Sequence, residues 1–263
     1  MTHLTDYHIH TKWCHHAVGE MEDYVKHAIA LEMEEIGFAD HAPGDPDYDP
    51  KHRMDIVQFG HYIKSVQQLN HQFDAISVKL GIETDFYPHF EPALESMIEQ
   101  FPLDYVIGSV HYVDNILVFN ADEFIHDSAE QQRYTEGYFT TLRQGLESGL
   151  VQVVGHIDVM KYPFPHLKPL IEDRVSELLP LIADQGLILE LNTSGWRRKP
   201  RESYPSVSIL KEAARYSIPI CLNSDAHQPD HVGCEFDRAL QMLTETGYRQ
   251  TQIQSCGIKA YVQ

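Results

Sequence analysis

Seventeen histidines stand against 20 lysines and arginines in this chain, and their placement suggests chemistry. Near the start, Asp6-Tyr7-His8-Ile9-His10 sets two imidazoles two residues apart. In an extended strand, residues i and i+2 face one side, so both rings can grip a single ion. Alone, His-x-His is weak evidence, because a solvated or core pair has the same spacing. His16 follows His10 by six residues, with His15 as its rival. Ser224-Asp225-Ala226-His227 repeats the two-apart spacing toward the other end. Between them, Glu83 in Gly81-Ile82-Glu83-Thr84-Asp85 ends a run too apolar to carry a lone charge. A buried carboxylate must be paired or metal-bound.

Short apolar runs alternate with longer stretches of helical period. Strands are expected at 4–8, 35–40, 77–83, 105–111, 151–156, 187–192 and 218–224. Helices are expected near 21–33, 55–72, 91–100, 129–148, 168–185, 205–216 and 231–247. The stretch 168–185 shows the apolar spacing of a half-buried helix in Leu170, Ile171, Val175, Leu178, Leu179 and Ile182. Strands alternating with helices imply a parallel sheet with right-handed crossovers. Seven units point to an α/β fold, a closed or nearly closed (β/α) barrel; a doubly wound open sheet is the alternative. The strand ends then carry, in order, His8 with His10, His41, Glu83, His111, His156, Asn192, and Asp225 with His227. Six of seven strand ends offer a metal-capable side chain, on the face where barrel chemistry gathers. Metal-assisted hydrolysis is the chemistry that follows.

Composition narrows the partners. The net charge of −19, from 39 acidic and 20 basic residues, argues against a nucleic-acid surface, which needs an extended basic footprint. An anionic small molecule remains compatible, since bound metal ions reverse the local field. No apolar run could span a bilayer and no signal peptide opens the chain, so a cytoplasmic protein is expected. Residues 1–263, without repeats or low-complexity linkers, read as a single domain. Cys14, Cys221, Cys234 and Cys256 lack paired spacing and are expected as reduced thiols. Cys14 lies inside a histidine cluster but is not expected to be a ligand.

The motifs together resemble one family. Asp6-Tyr7-His8-Ile9-His10-Thr11, Cys14-His15-His16-Ala17, Phe38-Ala39-Asp40-His41, Arg53-Met54 and Gly81-Ile82-Glu83 are similar to those of the PHP (polymerase and histidinol phosphatase) superfamily. So are the stretches 102–111, Gly155-His156-Ile157-Asp158, Glu190-Leu191-Asn192-Thr193-Ser194-Gly195 and Ser224-Asp225-Ala226-His227. Ile107-Gly108-Ser109-Val110-His111 and Glu190 to Gly195 point to its monofunctional histidinol-phosphate phosphatases. The resemblance implies a distorted TIM-like (β/α)7 barrel holding three divalent metal ions, of zinc, iron or manganese. His8, His10, Glu83 and Asp225 would hold the first ion. Glu83 would bridge to a second, held also by His111 and His156. His16, rather than His15, would join His41 and His227 on the third.

That resemblance implies hydrolysis of L-histidinol phosphate, a small phosphate monoester, by a metal-bridging hydroxide, with Glu83, Asp225 and His227 among the catalytic groups. Another small phosphate monoester or a nucleotide is the alternative substrate. Three divalent ions bring about +6 and two carboxylates leave about +4, which suits a dianionic phosphate. Arg197 matches a family arginine and is expected to clamp phosphate, with Lys161 standing where arginine is usual. Asp158 is a candidate to support a ligand or merely a loop, while Trp13 and Tyr112 read as rim packing. His27, His61, His71 and His166 read as surface residues.

Overall fold

Seven parallel strands frame the computed structural model, which describes residues 4–45, 48–252 and 259–262. They are β1 (Thr5–Ile9), β2 (Glu35–His41), β3 (Ser77–Asp85), β4 (Tyr105–Ser109), β5 (Val153–Val154), β6 (Ile188–Asn192) and β7 (Ile220–Asn223). Neighbours in space follow chain order from β1 to β7, as short right-handed crossovers require. The crossover helices are α1 (Met21–Ala30), α2 (Ile56–Gln72), α3 (Glu91–Gln100), α4 (Ser128–Glu147), α5 (Lys168–Asp184) and α6 (Val207–Arg215), and α7 (Phe236–Glu245) follows β7. Local chemistry starts α2: the Asp55 side chain accepts from the backbone of Val57 and Gln58, and Gln58 answers to Asp55 in a capping box.

Both faces of the sheet are buried, so its strands are apolar on both sides. Ile36, Phe38, Ile82 and Val106 belong to the large core shared with the helices. Their neighbours Tyr7, Ala39, Tyr105, Ile107, Val153, Ile188 and Cys221 form a second cluster on the other face. Tyr105 fills that interior, donating its hydroxyl to Tyr7 O at 2.6 Å and to Phe38 O at 3.2 Å. Gly37 and Gly81 make its room: a Cβ on either would come within 2.2 Å of the Tyr105 ring or hydroxyl.

Side chains do much of the closure between the first and last strands. A parallel bridge joins Ile9 to Ala226, with His10 N donating to Ala226 O at 2.9 Å and Ala226 N to His8 O at 3.1 Å. Below it, Asn223 Oδ1 accepts from Tyr7 N at 2.9 Å and Asp6 Oδ1 from Ser224 N at 3.0 Å. The result is a nearly closed, distorted seven-stranded barrel. A β-bulge in β1 between Asp6 and Ile9 contributes the distortion.

Several expected boundaries shift. β4 stops at Ser109 and β5 spans two residues, so His111 and His156 lie past their strands rather than on them. The turn at His156, with Val159 N donating to His156 O at 2.9 Å, ends β5 early. The last helix starts at Phe236, not 231, because a 3-10 turn at Pro229–His231 and a left-handed Glu235 precede it. Two hairpins were not anticipated. Tyr112–Val113 pairs with Ile116–Leu117, and Arg249–Gln252 pairs with Lys259–Val262, which lies antiparallel against β7. Cys256 lies outside the described residues, and no helix among those described is long and apolar enough to cross a membrane.

The interior packing is testable. Gly81→Ala should destabilise through overpacking by about 1–3 kcal/mol, roughly 2–12 °C in Tm for a domain of this size. Adding Tyr105→Leu should give a double variant more stable than the sum of the two single changes predicts, because the clash partner is gone. Strict additivity in thermal melts would show that Tyr105 does not set the space at Gly81.

Candidate metal centre

The nine expected side chains meet at the C-terminal end of the barrel. His8 and His10 leave the bulged end of β1, and their Nε2 atoms lie 3.1 Å apart. Glu83, near the end of β3, occupies the middle. Its Oε1 is 3.0 Å from His156 Nε2 and 3.6 Å from His111 Nε2. Its Oε2 is 3.1 Å from His41 Nδ1, 3.4 Å from His8 Nε2 and 3.5 Å from His10 Nε2. The two oxygens of one carboxylate thus face two different groups of imidazoles. Asp225 Oδ1 lies 3.4 Å from His10 Nε2, and His16 Nε2 lies 3.0 Å from His227 Nε2.

Three donor sets result: His8, His10 and Asp225; Glu83, His111 and His156; and His16, His41 and His227. His10 also shares a set with His41 and Glu83, and another with Cys14 and His227. His15 is excluded from the cluster by its left-handed backbone, and its ring meets Gln58 at 3.3 Å instead. Cys14 is buried, its sulfur accepting from Ala17 N at 3.3 Å. Burial and the Asp40 carboxylate push its thiol above the ordinary range.

A second layer of acceptors aims the rings. His8 Nδ1 donates to Glu190 Oε1 at 2.6 Å and His111 Nδ1 to Asp85 Oδ1 at 2.7 Å. His16 Nδ1 is 2.7 Å from Cys14 O, and His227 Nδ1 is 3.1 Å from Asp225 O. With Nδ1 occupied, Nε2 of each is left to face the cavity, the usual arrangement for a metal-ligating histidine. Glu190 is itself held by His156 N at 2.8 Å, Asn223 Nδ2 at 2.9 Å and Asn192 Nδ2 at 3.1 Å. Ser109 Oγ donates to Glu83 Oε1 at 2.7 Å.

Burial would penalise every charge here, but neighbours decide the outcome. Burial opposes ionisation of Glu83, yet His8 and His111 hold its carboxyl well below the usual range. His8 is likewise disfavoured as a cation by burial, and Glu190 and Glu83 outweigh that and raise it well above ordinary histidine. His41, buried and beside His10, is driven down to about 3. Three buried atoms in the cluster have no hydrogen-bond partner: Glu83 Oε2, His41 Nδ1 and His156 Nδ1. Unpaired buried polar atoms are costly, and divalent cations fit this gap as well as the imidazole and carboxylate donor set.

Above the cluster opens a cavity of about 280 Å³. Arg198 lines it, stacked 4.9 Å from the Phe119 ring and 3.7 Å from Asp225 Oδ2. The two expected phosphate clamps lie elsewhere. Arg197 Nη2 donates to Ser224 O at 2.6 Å, which spends its guanidinium on the loop behind Asp225. Lys161 is buried, donating to Asp158 Oδ2 at 2.8 Å and Ser203 O at 2.5 Å. Asp158 also accepts from Ser206 N at 2.9 Å, a tie between loops rather than support for a ligand. Tyr112 packs on Tyr48 and Trp13 on His61. His61, His71 and His166 are exposed, while His27 is half-buried. Sequence reasoning assigned no task to Glu190, Asp85, Ser109 or Arg198, although Glu190 and Ser109 stood in the motifs it singled out.

Comparison with known proteins identifies the family. The family model described as the PHP domain matches residues 6–194. A probable histidinol-phosphatase of Deinococcus radiodurans is 37% identical over 254 residues, covering 95% of this chain and 96% of that protein. The histidinol-phosphatase of Bacillus subtilis is 27% identical over 263 residues, covering 90% and 98%. Among solved structures, histidinol phosphate phosphatase from Lactococcus lactis, complexed with zinc, L-histidinol and phosphate, shares the fold with a TM-score of 0.79. It is 22% identical, and the match covers 95% of this chain and 96% of that one. With the domain match reaching from β1 past the end of β6, and a 37% identical relative spanning nearly the whole length, this chain belongs to the PHP domain family.

Proposed function

We propose that this chain is a metal-dependent phosphomonoesterase, a single domain over residues 1–263, that hydrolyses L-histidinol phosphate to L-histidinol and phosphate. The observation that carries this reading is Glu83, whose two oxygens face separate groups of imidazoles in a cluster of nine donors. The histidinol-phosphatases named among its relatives support the choice of substrate. Three divalent ions fit the three sets: His8, His10 and Asp225 with Glu83; Glu83 with His111 and His156; and His16, His41 and His227. Bound there, they would supply Lewis acidity toward water and neutralise charge on the phosphate.

The chain's own residues have separable tasks. Glu83 would hold two ions together, while Asp225 and His227 would bring the last loop into the reacting centre. Glu190, Asp85 and the Cys14 carbonyl fix the rings, so each ligand keeps its tautomer and direction. Arg198, on the cavity wall, can reach a phosphate oxygen with charge-assisted hydrogen bonds. Arg197 would serve one step removed, by holding the Ser224 carbonyl next to Asp225. Phe119 and Leu117 narrow the mouth with apolar surface, which favours a small monoester over a polymer.

Three outcomes test this. Protein purified without chelator should hold more than one equivalent of transition metal and release phosphate from L-histidinol phosphate; Glu83→Gln should abolish turnover with the fold retained. Near-zero metal, with no activity regained on adding Mn, Fe, Co or Zn, would sink the reading. Glu190→Gln should weaken metal affinity or activity by roughly 10–100-fold, read by titration with a chelator, and parental affinity would show that the His8 tether is idle. Arg198→Ala should lower kcat/KM by about 10²–10³ through loss of one or two charge-assisted bonds. Arg197→Ala should fall less; a reversed order would return the clamp to Arg197.

A further inference from the structure

Beyond the metal-facing side chains, the cavity wall carries Asp49, His52 and Arg53 from the loop before α2. Three carboxylates line the cavity among the described residues, and two of them, Glu83 and Asp225, belong to the donor sets. Asp49 is the third. Its side chain is 8% exposed, with Oδ1 2.7 Å from His52 Nδ1 and Oδ2 3.6 Å from Arg53 Nη2. Burial and the nearby Asp49 carboxylate push the Tyr112 phenol above its ordinary range. Arg53 makes its shorter ion pair with Asp85, at 2.5 Å, so Asp49 is not consumed by it. A carboxylate offers about four acceptor sites, which leaves room for one more donor.

L-histidinol phosphate brings two opposite demands. Its phosphate suits a strongly cationic floor, but its leaving alcohol carries an ammonium group four bonds from phosphorus. At about 1.5 Å per bond that nitrogen sits within roughly 4–5 Å of the phosphate, where metals and Arg198 would repel it unless an acid lies nearby. We infer that Asp49 is the counter-charge that receives this ammonium and so selects amine-bearing phosphate monoesters. The inference rests on the substrate reading above. Asp49 lines the same cavity as the donors, and His52 links them: it contacts Asp49 and sets its ring 5.5 Å, edge to face, from that of His16. Asp49 also holds a left-handed backbone, φ 48, which aspartate and asparagine tolerate better than most residues.

That tolerance makes Asp49→Asn a clean variant, since the amide oxygen can still accept from His52. The metal-loaded parent and variant should be compared on L-histidinol phosphate and on 3-(imidazol-4-yl)propyl phosphate, in which hydrogen replaces the ammonium. Asp49→Asn is expected to lose about 10–100-fold in kcat/KM on the first, mainly through KM, and no more than about threefold on the second. Metal content and Tm should match the parent. An equal loss on both substrates, or none on either, would overturn the assignment and leave Asp49 as a prop for His52 and Arg53. A wild-type measurement gives an independent arm: L-histidinol should inhibit at least about tenfold more tightly than 3-(imidazol-4-yl)propanol, and equal inhibition also overturns it. If wild-type enzyme releases phosphate from other monoesters but not from L-histidinol phosphate, the substrate reading itself has failed.

Discussion

A carboxylate buried at 1% exposure among imidazoles, Glu83, is the constraint around which the barrel mouth is organised. An ionised carboxylate in a dry interior needs polar partners or bound cations on both oxygens. His111 and His156 meet one oxygen and His8, His10 and His41 meet the other. Those rings are buried too, and a buried imidazole that turns one nitrogen inward as a ligand needs an acceptor for the N–H it turns outward. Glu190 and Asp85 provide it for two of them, and Asn192, Asn223 and the His156 amide hold Glu190 in turn. Charge, counter-charge and hydrogen bond therefore alternate outward from the centre, and each layer fixes the next.

The same alternation accounts for the way the barrel closes. Asp6 and Asn223 bond to backbone amides across the seam between β1 and β7, where a full ladder would leave no space for His8, His10 and Asp225 to turn inward. The bulge in β1 serves the same end, since it breaks strict alternation around His8. Lower in the barrel Tyr105 fills the interior where Gly37 and Gly81 lack side chains, so the floor beneath the cluster is solid. Bulk below and a loosened seam above leave the donors no direction but the cavity.

Much of this was legible in the sequence, for identifiable reasons. Short apolar runs and period-3.6 stretches located all seven strands and their helices, because both faces of a parallel sheet are buried and one face of each helix is. Eight of the nine expected donors stood out because histidine and acid at strand ends are rare without cause, while the choice of His16 over His15 came from the family resemblance. The hairpins escaped notice: Tyr112–Val113 and Ile116–Leu117 are two residues each, too short for any period. Glu190 escaped as well, since a charged residue within β6 shows its purpose only once His8, 182 positions away, is beside it. The arginines show the limit most sharply. Family resemblance favoured Arg197 over its neighbour, but the helical turn Ser194–Arg197 ends there and the chain becomes extended at Arg198. Which of two adjacent guanidiniums faces the cavity depends on that change of backbone.

The cavity also has to bind a substrate of mixed charge. A cluster built from seven neutral ligands and two carboxylates stays cationic when loaded with divalent ions, which draws in phosphate and disfavours any second positive group. Adding acids to the ligand set would cure the repulsion but weaken the hold on phosphate. Placing one acid outside that set keeps both. Asp49 is so placed, on the cavity wall, 2.7 Å from His52 Nδ1 and 3.6 Å from Arg53 Nη2. Selectivity among phosphate monoesters can then change with the loop before α2, while the metal cluster and the barrel that aims it stay as they are.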